Sequence, residues 1–451
     1  MSKVHLIGIG GAGLSAIATV LLQRGYRVSG SDACASAATG RLEQLGATVF
    51  IGQRPENLSD DVETVIVSSA IAADNPELQA ARQRGLPVAK RDNWLGQMMA
   101  GSAGIAVAGT HGKTTTTAMI AFVLRQAGLD PTFIVGGFVP QLDANAAAGR
   151  GPAFVIEADE YDHMFLGLRP QVAVITFVEW DHPDIFPTPA ALQQAFEQFV
   201  ALTPATGLVI GCGDAPGVLP VLQHARSRVI TYGFGPDNHW RAENLRANSR
   251  GGFDAQVMTP AGPVQLSLAV PGQHNILNAL AAMIAAWQQG VAPQQSAQFL
   301  EQFTGVERRF QLKGNVAGLT IIDDYAHHPT EIRATLAAAR ARFPQQPVWV
   351  LFQPHTFSRT RLLLADFAQA FGHADHVIIT DIFPAREKDD GRVSSRDIVS
   401  HMQHPDARYI GDLAAAADFL VENLAAPAVL LTLGAGDGYR VGEMVLARFE
   451  G

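Results

Sequence analysis

Cysteine is nearly absent from these 451 residues: Cys34 and Cys212 stand far apart, without Cys-x-x-Cys spacing, which excludes a disulfide framework and a thiolate zinc cluster. Runs of Lys and Arg are absent too. With 33 basic against 42 acidic residues the formal charge is −9, so the chain lacks the basic face that counterion release from nucleic acid requires. No apolar run approaches the ~20 residues of a membrane-spanning helix, and Met1-Ser2-Lys3 leads into an apolar strand with no signal-peptide pattern. Charged residues are sparse at 17% and hydrophobic ones make up 47%, which excludes disorder. These absences predict a soluble, cytoplasmic protein with neither nucleic acid nor membrane as partner; a monomer or homodimer is expected, though composition does not fix which. Any anionic ligand must be held by a local site.

At roughly 100–200 residues per domain the length predicts several domains. Short apolar strands alternate with amphipathic stretches, the pattern of α/β domains with largely parallel sheets. One theme, strand then glycine-rich turn then helix, occurs three times: Val4–Ile7 before Gly8, Ile105–Ala108 before Gly109, and Val429–Leu433 before Gly434. One such unit per domain gives three domains, 1–100, 101–308 and 309–451.

The first turn, Gly8-Ile9-Gly10-Gly11-Ala12-Gly13, fits the dinucleotide fingerprint, with Asp32 at the end of the next strand. Glycines there let backbone amides approach a diphosphate at a helix N-terminus. Taken alone, the motif predicts an NAD-dependent oxidoreductase. The second turn, Gly109-Thr110-His111-Gly112-Lys113-Thr114-Thr115, has the chemistry of a phosphate-binding loop: Lys113 for the β and γ phosphates of ATP, the Thr114 hydroxyl for Mg²⁺. Its first glycine position is Val107, so it is a shortened form of the pattern. Glu157 ends the strand Ala153–Ile156 and opens an acidic stretch reaching Asp162, and His182 follows the strand Val172–Phe177. Strand ends face the ligand crevice of a parallel sheet, which makes both residues metal candidates. Asn275 and Asn278 are i,i+3 neighbours on one helix face, suited to capping or to holding a nucleotide. The acids Asp323 and Asp324 with the pair His327-His328 lack H-E-x-x-H spacing, and Pro329 starts a helix, so zinc is not expected there. Phe352 to Arg361 follows a strand and carries Arg359, apt for a phosphate or carboxylate.

Together with Ser68-Ser69-Ala70-Ile71, Asp181-His182, His274-Asn275 and Arg308-Arg309-Phe310, these segments resemble the ATP-dependent Mur ligases of peptidoglycan synthesis over nearly the whole chain. The resemblance implies an N-terminal Rossmann-like domain, a central P-loop ATPase domain and a C-terminal Rossmann-like domain. The first would bind UDP-N-acetylmuramate through Gly10, Gly11, Ala12, Gly13, Asp32, Ser68, Ser69 and Ala70. The phosphate loop, with Asn275, Asn278, Arg309, His327 and His328, would hold ATP. Thr114, Glu157 and His182 would order Mg²⁺, and Lys113, Glu157, His182, Asp324 and Arg359 would serve catalysis. Arg359 matches the region that meets the incoming amino acid. The implied reaction activates the lactyl carboxylate as an acyl phosphate and couples it to L-alanine. Some relatives carry a carbamylated lysine as a metal ligand; no equivalent is identified here. A branch that attaches a recycled tripeptide to the same UDP-sugar stays open, as do an oxidoreductase and a nucleotide-binding switch.

Overall fold

The computed structural model describes residues 2–450. Three sheets succeed one another along the chain. The first has five parallel strands in the spatial order Thr48–Ile51, Arg27–Asp32, Lys3–Ile7, Thr64–Val67, Val88–Lys90. Its order reverses beside Lys3–Ile7, so the turn after that strand and the turn after Thr64–Val67 flank a crevice at the carboxyl ends of the strands, where ligands of open α/β sheets bind.

The second sheet has ten strands. Ala103–Ala108 lies between Val172–Ile175 and Ala153–Glu157, all parallel, which brings the turns after the three strands together. These strands are continuous apolar runs because helices cover both faces. At one end the sheet turns antiparallel through Trp240–Ala247, Phe253–Thr259 and Gly262–Ser267, at the other through Thr132–Val139 and Ala144–Ala147. The helix after the phosphate loop runs Lys113–Gln126, starting before the apolar stretch from Ala118. Thr114 to Thr117 are β-branched and poor helix formers. Burial of Ala118 to Leu124 and packing against the helix Gln273–Gln288 override that preference.

The third sheet orders Gln311–Val316, Leu319–Asp324, Ala428–Leu433, Val348–Phe352, His376–Ile379 and Ala407–Tyr409, antiparallel only at the first pair. Apolar clusters pack on both of its faces, one around Phe352 and Phe367 and one around Leu351 and Leu420. No helix among the described residues is long and apolar enough to cross a membrane.

Candidate active site

The phosphate loop takes its shape from backbone constraints. Gly109 has φ +143°, and a Cβ there would stand 2.0 Å from Thr176 Oγ1. Gly112, at φ +81°, is the N-cap of the helix that starts at Lys113. Thr110 N–H donates to the Phe177 carbonyl at 2.8 Å, and the Thr176 hydroxyl donates to the His111 carbonyl at 2.5 Å, fastening the loop to the turn after Val172–Ile175. Beside the loop a cavity of about 260 Å³ is lined by Thr114, Thr115, Phe177, Asn275, Asn278, Arg309 and Asp324 among others. Asn278 accepts from Thr116 Oγ1 at 3.1 Å and donates to Asn275 Oδ1 at 2.9 Å, so the pair is a fixed polar wall on the adjacent helix.

Lys113 points back across the loop. Its Nζ donates to the Gly109 carbonyl at 2.6 Å and to Glu160 Oε1 at 2.9 Å. Burial works to lower its pKa, but the charges of Glu160, Asp159 and Glu157 hold it above the ordinary lysine value. Glu157 binds at both oxygens, accepting from Thr114 Oγ1 at 3.0 Å and from Gly136 N–H at 2.7 Å. His182 stands with Nε2 3.8 Å from Glu160 Oε1 and its ring edge-on to Tyr161. Burial raises the pKa of Glu160 even against the opposing charge of Lys113. Thr114 and Glu157 offer hard oxygen donors beside the phosphate loop and His182 adds an imidazole, a donor set that fits Mg²⁺.

The C-terminal domain closes on this cluster. Arg359 grips Asp181 with Nε and Nη2, both at 2.8 Å, and both side chains are buried. Burial would raise the Asp181 pKa, but the guanidinium holds it far below the usual carboxylate range. Arg359 Nη1 is left facing His355 Nδ1 at 3.2 Å. His327 lies near the same ring, its pKa lowered to about 3 by burial, and that of His355 is lowered likewise to about 4. Both are therefore neutral at physiological pH. His111 bridges the domains, Nε2 to Glu179 at 2.9 Å and Nδ1 to Glu331 at 3.0 Å. Burial alone would lower its pKa, yet the two carboxylates raise it to about 9. His328 caps the helix Pro329–Arg342 by accepting from Thr330 N–H and packs against the His111 ring at 4.9 Å. Arg309 Nη2 reaches Thr114 Oγ1 at 3.3 Å, and its guanidinium lies over Tyr325. Asp324 accepts from Phe310 N–H and Ala326 N–H, both at 2.7 Å. Burial pushes its pKa up to about 6 against the pull of Arg309 and those two amides.

In the N-terminal sheet a crevice of about 730 Å³ is lined by Gly8, Gly10, Gly11, Asp32, Ser68 and Ala70. Asp32 accepts from Gly10 N–H at 2.9 Å, which holds the turn against the second strand. Ala12, Gly13 and Ser69 are not among the crevice-lining residues. Gly13 is instead roofed by Arg91: a Cβ at Gly13 would stand 1.8 Å from Arg91 Nη1. Arg91 Nη2 lies 3.6 Å from Asp159, so the start of the helix after the glycine turn adjoins the carboxylate cluster.

Family models match the chain in three consecutive stretches: "Mur ligase family, catalytic domain" over residues 3–103, "Mur ligase middle domain" over 107–286, and "Mur ligase, glutamate ligase domain" over 308–436. The chain belongs to the Mur ligase family. Among curated relatives, the UDP-N-acetylmuramate–L-alanine ligase of Renibacterium salmoninarum is 47% identical, covering 99% of this chain and 96% of its own. That of Frankia casuarinae is 43% identical, covering 98% and 97%. Among solved structures, the UDP-N-acetylmuramate-alanine ligase of Thermotoga maritima superposes with a TM-score of 0.83 at 30% identity, covering 100% of this chain and 99% of that one. A murein peptide ligase from Psychrobacter arcticus gives 0.74 at 25% identity, with the same coverage.

In this Mur ligase, sequence reasoning passed over several residues of the site. Glu179, Glu331 and Asp181 sit in segments read for their neighbours, and Arg91 and Arg386 in segments not read at all. Arg386 packs over the Tyr161 ring and donates to Asp184 at 2.7 Å, clasping the central domain from the C-terminal side. The partners are up to 220 positions apart, and no local spacing announces them.

Proposed function

We propose that this chain joins L-alanine to the lactyl carboxylate of UDP-N-acetylmuramate at the expense of ATP. One observation carries the reading: the phosphate loop with Lys113, Arg91 over the N-terminal glycine turn and the C-terminal Arg359 converge on a single cluster of carboxylates and His182. Relatives bearing that activity in their names match over the full length. We assign the three sheets to units near 1–100, 101–308 and 309–451.

The UDP-sugar lies in the N-terminal crevice, its diphosphate at the N-terminus of the helix that starts at Ala12, its lactyl carboxylate directed toward Lys113. ATP lies along the phosphate loop, its base toward the cavity wall of Phe177, Asn275 and Asn278. A carboxylate oxygen attacks the γ-phosphorus, the bond to the β-γ bridging oxygen breaks, and ADP leaves an acyl phosphate. Two unit charges of like sign at 4 Å repel by about 4 kcal/mol at an effective dielectric of 20. Lys113 and Arg309 offset that repulsion. Thr114, Glu157 and His182 would hold Mg²⁺, which when bound supplies further positive charge to the phosphate oxygens. The amine of L-alanine then attacks the acyl carbon, loses a proton, and phosphate departs. Arg359 Nη1, which lies against His355 Nδ1, is the donor offered to the amino acid carboxylate, and neutral His327, whose Nδ1 donates to the Tyr325 carbonyl, keeps Nε2 to accept from the amino acid's amine.

The test is phosphate release with L-alanine, L-serine, glycine and the L-Ala-γ-D-Glu-diaminopimelate tripeptide side by side. Release should require UDP-N-acetylmuramate and be fastest with L-alanine. Preference for the tripeptide would shift the assignment to the murein peptide ligases, whose fold this chain also matches. Release without any amine would point to a nucleotide switch.

A further inference from the structure

The pairing of Glu160 with Lys113 leaves half of the carboxylate unexplained. The side chain is 1% exposed; Oε1 takes the lysine at 2.9 Å, and Oε2 has no partner among the described residues and no solvent. Buried carboxylate oxygens are ordinarily bonded, because desolvating one without compensation is costly.

The surroundings narrow what this oxygen awaits. Glu157 is held in place by Thr114 and Gly136 and keeps a lone pair on each oxygen for the cation. His182 has two carboxylates nearby, Asp181 and Glu160, each at 3.8 Å, and Asp181 is held by Arg359. Glu160 is therefore the carboxylate left to accompany His182. The three donors of Lys113 Nζ are turned to Gly109, Thr110 and Glu160, so a nucleotide phosphate competes with Glu160 for the lysine. Once it turns to phosphate, Glu160 becomes a buried anion without a partner, a strongly unfavourable state.

We propose that Glu160 is a further ligand of the divalent cation, sharing it with His182, and that Lys113 occupies its place until nucleotide draws the lysine away. The inference rests on the assignment of Thr114, Glu157 and His182 to Mg²⁺. A hard cation resolves both sides of the exchange, since it takes carboxylate oxygen readily and tolerates phosphate and water as its other ligands.

Mn²⁺ binding, followed by electron paramagnetic resonance with a non-hydrolysable ATP analogue present, tests this without turnover. Glu160→Gln keeps the shape and an acceptor for Lys113 but loses the charge; it should weaken Mn²⁺ binding about tenfold or more, the range for losing a ligand-shell group. Glu157→Gln should weaken it as well. Wild-type affinity in Glu160→Gln with weakened binding in Glu157→Gln overturns the proposal alone. Wild-type affinity in both overturns the metal assignment beneath it too. If thermal melting shows Glu160→Gln unfolded, Glu160→Asp takes its place. That variant keeps the charge, draws the carboxylate back by one methylene, and must also bind Mn²⁺ more weakly for the proposal to stand.

Discussion

Gly136 is occupied by a neighbour. A Cβ there would stand 2.5 Å from Glu157 Oε2, the oxygen its own N–H binds at 2.7 Å. Gly136→Ala should keep the fold, since no left-handed backbone is needed, but swing Glu157 off Thr114. The expected result is a rate lowered about 10-fold or more, the cost of disturbing a metal's supporting shell, with a higher Mg²⁺ requirement. A phosphate-release assay across a Mg²⁺ titration reads both, and an unchanged Mg²⁺ dependence would remove Glu157 from the cation site. Lys113→Ala is the harsher change, because it also strands Glu160. Its turnover should fall by about 10²–10³-fold, the scale for losing one charge-stabilising group. Near-normal turnover would sink the role given to Lys113. The phosphate loop was open to sequence reading because glycine, lysine and threonine must be contiguous to cradle phosphate. Glu160 was not, because an acidic residue in an acidic stretch looks the same whether it faces water or a buried lysine.

At the scale of elements, the start of the helix Pro329–Arg342 does two jobs with one residue. Glu331 Oε2 accepts from the N–H groups of His327 at 3.0 Å and His328 at 3.3 Å, closing a capping box, while Oε1 reaches His111. The spacing Pro329-Thr330-Glu331 shows the helix start in the sequence. The contact with His111 is invisible there because it depends on how two domains pack. Glu331→Gln keeps a capping acceptor and removes the charge, so the His111 pKa should drop from about 9 toward the ordinary histidine value. Histidine proton resonances followed through a pH titration measure this directly. A titration still centred near 9 would assign the shift to Glu179 alone. The strands themselves were legible from apolar runs, yet their order was not, since an apolar strand carries no mark of which neighbour it pairs with.

For the whole molecule, the contacts between central and C-terminal domains are chiefly charged, and their titration sets a pH window for the closed form. The His111 pKa lies above its unfolded value, so its stabilisation is complete below about 6.5 and is lost as pH rises through about 9. Asp181 is shifted the other way. Its contribution is complete above an unfolded pKa of about 3.9 and disappears on acidification. Closure should therefore be firmest between roughly pH 5 and 6.5 and loosen on the alkaline side first. Asp181→Asn tests the larger of the two contacts: it leaves Arg359 buried without its counter-charge, a change of about 3–5 kcal/mol for breaking a buried pair. Because the pair joins two domains, much of that should appear as opening. Small-angle scattering at pH 6 should show a larger radius of gyration for Asp181→Asn than for wild type. Wild type should expand in turn as pH is raised from 6 to 9.5. Superimposable curves for mutant and wild type would show that Arg359 and Asp181 meet without holding the domains together, and closure would then rest on His111, Arg386 and the Thr330 hydroxyl, which donates to Glu179 at 3.1 Å.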